Sequence, residues 1–112
     1  MKEEDTIYLK HILENIEKME ISFKSKTKKQ FEEDVDLQDA TFRRIEVIGE
    51  AVKNISEELK KKNPKVEWRK IADTRNVLIH AYFSVDAEIV FGIVKKDIPK
   101  LKKQILLILK GN

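Results

Sequence analysis

Between Leu37 and Leu59 an apolar residue, or a threonine in its place, returns every three or four positions: Leu37, Thr41, Ile45, Ile48, Val52, Ile55 and Leu59. That period is the 3.6-residue repeat of a helix with one buried face, and it leaves no room for strand alternation. Breakers are scarce, with 3 glycines and 2 prolines in 112 residues, so little interrupts a helix once begun. The sequence predicts an all-α fold, an antiparallel helical bundle of four main helices with a short extra one allowed around Lys28 to Asp34. One domain over residues 1–112 is expected from the length.

The first helix is expected from about Asp5 to Met19, with Ile7, Ile12, Ile16 and Met19 as its apolar face. The long periodic stretch is expected to start near Asp36 as N-cap and to run unbroken to Lys60-Lys61-Lys62-Asn63-Pro64. There the basic residues suit the helix dipole and the proline stops the chain. Gly49 sits inside it, where glycine costs about 1 kcal/mol relative to alanine, and a close approach of a second helix would explain it. A further helix begins near Glu67, with Trp68, Ile71, Ala72, Leu78 and Ile79 as its apolar positions. Asp86 is expected to cap the last one, with Val85 and Val90 as a staple. Its stripe would be Ile89, Val90, Ile93, Val94, Leu101, Ile105 and Ile108, Pro99 should kink it, and Gly111 would end it.

Cysteine is absent, which excludes disulfides and thiolate metal sites. The charged N-terminus is unlike a signal peptide. The longest apolar run, Ile105 to Leu109, is far short of the ~20 residues a membrane span needs. A cytoplasmic protein without membrane contact is expected. The net charge of +3 does not by itself imply nucleic acid. Lysines cluster at residues 24–29, 60–62 and 95–103, and such runs read first as solvated faces.

The segment that carries chemistry is Arg75-Asn76-Val77-Leu78-Ile79-His80-Ala81-Tyr82-Phe83. Histidine can trade protons near neutral pH. Arginine offers a permanent planar fork of donors for phosphate. On a helix Asp73, Asn76 and His80 fall at i, i+3 and i+7 and share a stripe, and Arg75 and Tyr82, seven apart, share another. Arg75 and His80, five apart, point about 140° away from each other. One straight helix cannot aim both at one phosphate. Either the helix unwinds near His80, or a second copy of the chain completes the site, which favours a twofold homodimer.

The chemistry that fits is RNA cleavage without a metal or cofactor, in which the ribose 2′-hydroxyl attacks the adjacent phosphorus. His80 can act as base or acid and Arg75 can hold the phosphate. Asn76 could orient His80 or donate to the phosphate, and Asp73 could fix the imidazole tautomer. The plainer readings are a surface role for Arg75 and His80, a half-buried Tyr82, a solvated Asp73 and a core Trp68. His11 is expected to be exposed and without function.

The string Arg75-x-x-x-x-His80-x-Tyr82 resembles the signature of HEPN domains (higher eukaryotes and prokaryotes nucleotide-binding), and specifically of the HepT-like toxins. Ile45-Glu46-Val47-Ile48-Gly49-Glu50-Ala51-Val52-Lys53 is similar to that family's second long helix. Trp68-Arg69-Lys70-Ile71-Ala72, Tyr82-Phe83-Ser84-Val85-Asp86 and Asp97-Ile98-Pro99 also match its habits, while Ala81 and Ser84 depart slightly. The likeness covers the chain from about Tyr8 to Leu109. It implies a homodimeric helical bundle, the toxin of a type VII-like toxin–antitoxin system, with an endoribonuclease site where two motifs meet. Arg75, His80 and Asn76 would carry cleavage. It also implies a partner, an MntA-like nucleotidyltransferase antitoxin that transfers AMP to Tyr82. Tyr82 shares a stripe with Arg75, so phosphates added there could block RNA. The alternatives are a non-catalytic nucleotide- or substrate-binding subunit of a small nucleotidyltransferase, and a structural helical adaptor.

Overall fold

A computed structural model describes residues 1–74, 76 and 87–111 of the chain. Among these residues the chain is helical, without a strand. The elements are α1 (Glu3–Phe23), α2 (Lys28–Glu33), α3 (Val35–Asn54), α4 (Glu57–Lys62), α5 (residues 68–74, with Asn76 again helical), α6 (Ala87–Gly92), a π-turn (Ile93–Asp97) and α7 (Ile98–Gly111).

The core is a continuous apolar cluster. Leu9, Ile12, Ile16, Met19 and Phe23 of α1 meet Leu37, Ile45, Ile48 and Val52 of α3, and Val94, Ile98, Leu101, Ile105 and Ile108 close it from the other side. Every position of the Leu37–Leu59 period is buried. Two of the other expected apolar positions are exposed. Ile7 is 59% exposed and Ile89 is 47% exposed. In α1 the buried stripe runs instead through Asp5, Leu9, Ile12, Ile16, Met19 and Phe23. Ile7 and Ile12 are five apart, about 140° round a helix, so both cannot face inward.

The long helix is not continuous. Ile55 turns extended at φ −71°, ψ 140°, and Ser56 caps a new helix by accepting from the Leu59 amide. The break is held by a residue far away in sequence. Asp5, 3% exposed, accepts the Ser56 amide at 2.9 Å and the Ser56 hydroxyl at 2.6 Å. A buried carboxylate needs such donors, because an unpaired one would be costly. The start of α3 also differs from expectation. Asp34, not Asp36, is the N-cap and takes the Leu37 amide at 3.0 Å.

The loop before α2 is a type II β-turn. Lys24 has φ −55°, ψ 120°, Ser25 has φ 61°, and the Lys26 amide donates to the Phe23 carbonyl at 3.0 Å. That is the turn whose third residue favours glycine. Thr27 and Gln30 then form a capping box for α2. Pro99 lies inside helix, as expected, and the helix widens just before it. The Ile98 amide reaches back five residues to the Ile93 carbonyl. A π-turn is one way for a helix to take in a proline ring that would otherwise press on the carbonyl four residues earlier.

Candidate active site

The motif helix α5 is placed by its first turn and by one glycine. The Trp68 indole donates to the Asn63 carbonyl at 2.9 Å, and the ring is buried, as its core reading requires. Glu67 bridges two elements, with Lys70 at 3.6 Å on α5 and Lys100 at 3.5 Å on α7. One turn on, α5 crosses α3 at Gly49. A Cβ at Gly49 would stand 3.4 Å from the carbonyl oxygens of both Ile71 and Ala72. The close approach that the sequence implies is therefore an approach of backbone to backbone, with no side chain between.

Beneath α5 lies a hollow of about 80 Å³. Ile45 and Ile48 of α3, Ile71 and Thr74 of α5, and Ile98 and Leu101 of α7 are among its walls. The hollow is largely apolar, so it supports α5 rather than offering reactive groups. Thr74, the residue before Arg75, turns its hydroxyl back to the Lys70 carbonyl at 2.9 Å, which closes that helical turn.

Of the residues expected to work, Asp73 and Asn76 are helical and exposed. Both are open to solvent on the motif helix, which for Asp73 agrees with the plainer reading of a solvated acid. Arg75, His80 and Tyr82 lie outside the described residues, as do Leu78, Ile79 and the Val85–Asp86 cap of α6. His11 is exposed, as expected. Among the described residues no group of three His, Cys, Asp or Glu side chains could hold a metal ion, and no helix is long and apolar enough to cross a membrane.

The lysine clusters differ in their surroundings. Lys18, Lys53, Lys60, Lys62 and Lys70 each have a glutamate three or four residues away within 4.0 Å. Such exposed helical pairs are worth a few tenths of a kcal/mol each. Lys102 on α7 bonds Glu20 on α1 at 2.7 Å, and that hydrogen bond holds its ammonium above the ordinary lysine pKa.

Comparison with known proteins bears on the whole chain. A family model described as "Ribonuclease HepT-like" matches residues 12–108. A Methanocaldococcus jannaschii protein named "Gamma-glutamylcyclotransferase and putative RNase" is 47% identical over 110 residues, which is 98% of this chain and 50% of that protein. The chain thus spans half the length of that relative. It spans nearly all of two others. A "Putative RNase" of Caldanaerobacter subterraneus is 42% identical over 92% of both chains. A "Probable ribonuclease HepT" of Thermococcus cleftensis is 42% identical over 91% of this chain and 93% of that one. No solved structure gives a significant match.

Proposed function

The chain belongs to the HepT-like ribonuclease family, and we propose that it is an endoribonuclease whose site forms where two copies of α5 and its continuation meet in a homodimer. The observation that carries this reading is the family match over residues 12–108, which encloses the Arg75, His80 and Tyr82 string. The exposure of Asp73 and Asn76 on α5 supports it, since both stand where substrate can reach them.

RNA brings its own nucleophile, so the protein need supply only proton transfer and charge. A base removes the 2′ proton, the O2′–P bond forms as the P–O5′ bond breaks, and an acid protonates the departing 5′ oxygen. His80 of one copy takes the proton and His80 of the other gives one, which resolves the wide angle between Arg75 and His80 on a single helix. Arg75 neutralises the phosphoryl oxygens as charge gathers there. Asn76 donates to the phosphate or the imidazole, and Asp73 fixes the tautomer. No metal enters these steps.

In this reading the chain is a toxin, and a nucleotidyltransferase antitoxin silences it by transferring AMP to Tyr82. Purified protein should cleave single-stranded RNA in the presence of a chelator. Arg75→Ala and His80→Ala should each lose about a hundredfold or more in rate. Parent-like cleavage by both variants, with contaminating nuclease excluded, refutes the site. AMP mass on the Tyr82 peptide after co-expression with the antitoxin supports the silencing step, and its absence while the antitoxin is active refutes it.

A further inference from the structure

We propose that the hollow between the α1–α2 turn and the π-turn is a subsite for the phosphate backbone of single-stranded RNA, with Lys24 and Lys95 as its cations. The two lysines belong to clusters some seventy positions apart in sequence, and the fold brings both to one hollow of about 290 Å³. Its floor is apolar and includes Met19, Phe23, Val94 and Pro99.

Three features set this place apart from an ordinary solvated lysine face. First, Lys95 is held in position. Its ammonium lies 5.9 Å from the Phe23 ring centroid and 5.4 Å from that of Phe91. Those rings are themselves packed with Phe31 at 5.2 Å and 6.0 Å. A cation over a ring is located without giving up its N–H donors, which stay available for an anion. Second, the carboxylate in the lining, Glu20, is already engaged by Lys102 at 2.7 Å. The lining thus holds two ammonium groups, Lys24 and Lys95, beside one carboxylate that a third lysine already engages. Third, Lys24 and Lys95 form no ion pair among the described residues, and neither do their neighbours Lys26 and Lys96. The paired lysines of α1, α3, α4 and α5 lack that spare charge.

The anion could in principle be an acidic protein segment, but position favours RNA. Ile98 lines both this hollow and the one beneath α5. Ile93 and Asp97 of the π-turn face the α5 hollow, while Val94 and Lys95 face this one. The π-turn is thus a narrow wall between the motif helix and the basic hollow. Asp73 and Asn76 line neither hollow, so a strand engaged at them passes round α5 before it crosses this wall. This rests on the proposed ribonuclease reading, and the test separates the two.

The test uses a labelled 2′-O-methyl RNA, which lacks the nucleophile and is bound without being cut, titrated with the full-length protein at several salt concentrations. Losing two phosphate contacts should reduce the salt slope by about 1.4, at ~0.7 per contact, and weaken binding about tenfold or more near 0.1 M salt. Lys24→Gln/Lys95→Gln should show both effects. Lys24→Glu alone, which leaves the ring contacts intact, should show a weakening without a change in melting temperature. Parent-like affinity and slope in both variants overturn the subsite. If RNA binding is intact but binding of a polyglutamate probe is lost, the hollow serves an acidic protein and the inference is also overturned. Cleavage by the parent on unmodified RNA tests the underlying reading separately, so the subsite can fail while the ribonuclease stands.

Discussion

Helix α3 meets two of its neighbours, α1 and α5, in opposite ways. Against α1 it presents side chains: Ile12, Ile16 and Met19 interlock with its own Ile45, Ile48 and Val52, all at most 2% exposed. Against α5 it presents the absence of one, since Gly49 lets the carbonyls of Ile71 and Ala72 come close. The first contact is rich in apolar area and should dominate stability. The second buries little at the crossing but fixes where the motif helix runs. Stability and activity should therefore respond to different residues on the same helix.

The largest effect on stability should come from trimming the side-chain contact. Ile16→Ala leaves a cavity at a fully buried site and should cost about 2–5 kcal/mol in urea unfolding. Cleavage measured well below the melting temperature should stay near that of the parent. A strong loss of activity in fully folded Ile16→Ala would end the division of labour.

Next comes the joint that ends α3. Asp5→Ala leaves the Ser56 amide and hydroxyl without their charged acceptor and should cost about 2–3 kcal/mol. Asp5→Asn, which keeps an acceptor but adds unneeded donors, should cost less. Equal stability of all three proteins would show that water replaces the carboxylate at no cost.

Gly49→Val should have the reverse profile. The added branches meet backbone carbonyls that cannot turn aside, so α5 must move. Overpacking of this kind costs about 1–3 kcal/mol. The loss of cleavage should exceed what the stability change explains, because the motif helix is displaced. If Gly49→Val folds and cleaves like the parent, the backbone crossing does not set the position of the site.

These contrasts also show what the sequence could and could not reveal. The period from Leu37 to Leu59 was legible because burial follows a local repeat, and all seven positions are buried. The break at Ile55 was hidden, since apolar periodicity continues through it. Ser56-Glu57-Glu58, a cap followed by acids, was the local signal of a new helix start. Asp5 could not be read as a buried residue, because its partner lies 51 residues on. The role of Gly49 was legible as a penalty that needs a reason, although not which backbone it admits. For the site, residue types and spacing pointed to Arg75, His80 and Tyr82, which lie outside the described residues, while Asp73 and Asn76 are exposed. The lysine clusters at 24–29 and 95–103 were visible as runs. Their convergence on one hollow is a product of tertiary structure, which no window along the chain contains.

The smallest effect should come from the contact that ties α7 to α1 at the surface. Lys102 donates to Glu20, and this hydrogen bond, with the charges of Glu20 and Glu17, raises its pKa against a lesser lowering by burial. A cation whose pKa is higher in the folded state than in the unfolded one stabilises the fold fully below the unfolded value, about 10.4 for lysine. That contribution is lost as pH rises through the folded value. Lys102→Met should therefore melt slightly below the parent from pH 6 to about pH 9, and the two curves should converge in more alkaline buffer. A constant difference that persists above the lysine titration would assign the effect to the packing of the aliphatic stem. The α1–α7 contact would then resemble the α1–α3 contact, held by apolar area and not by charge.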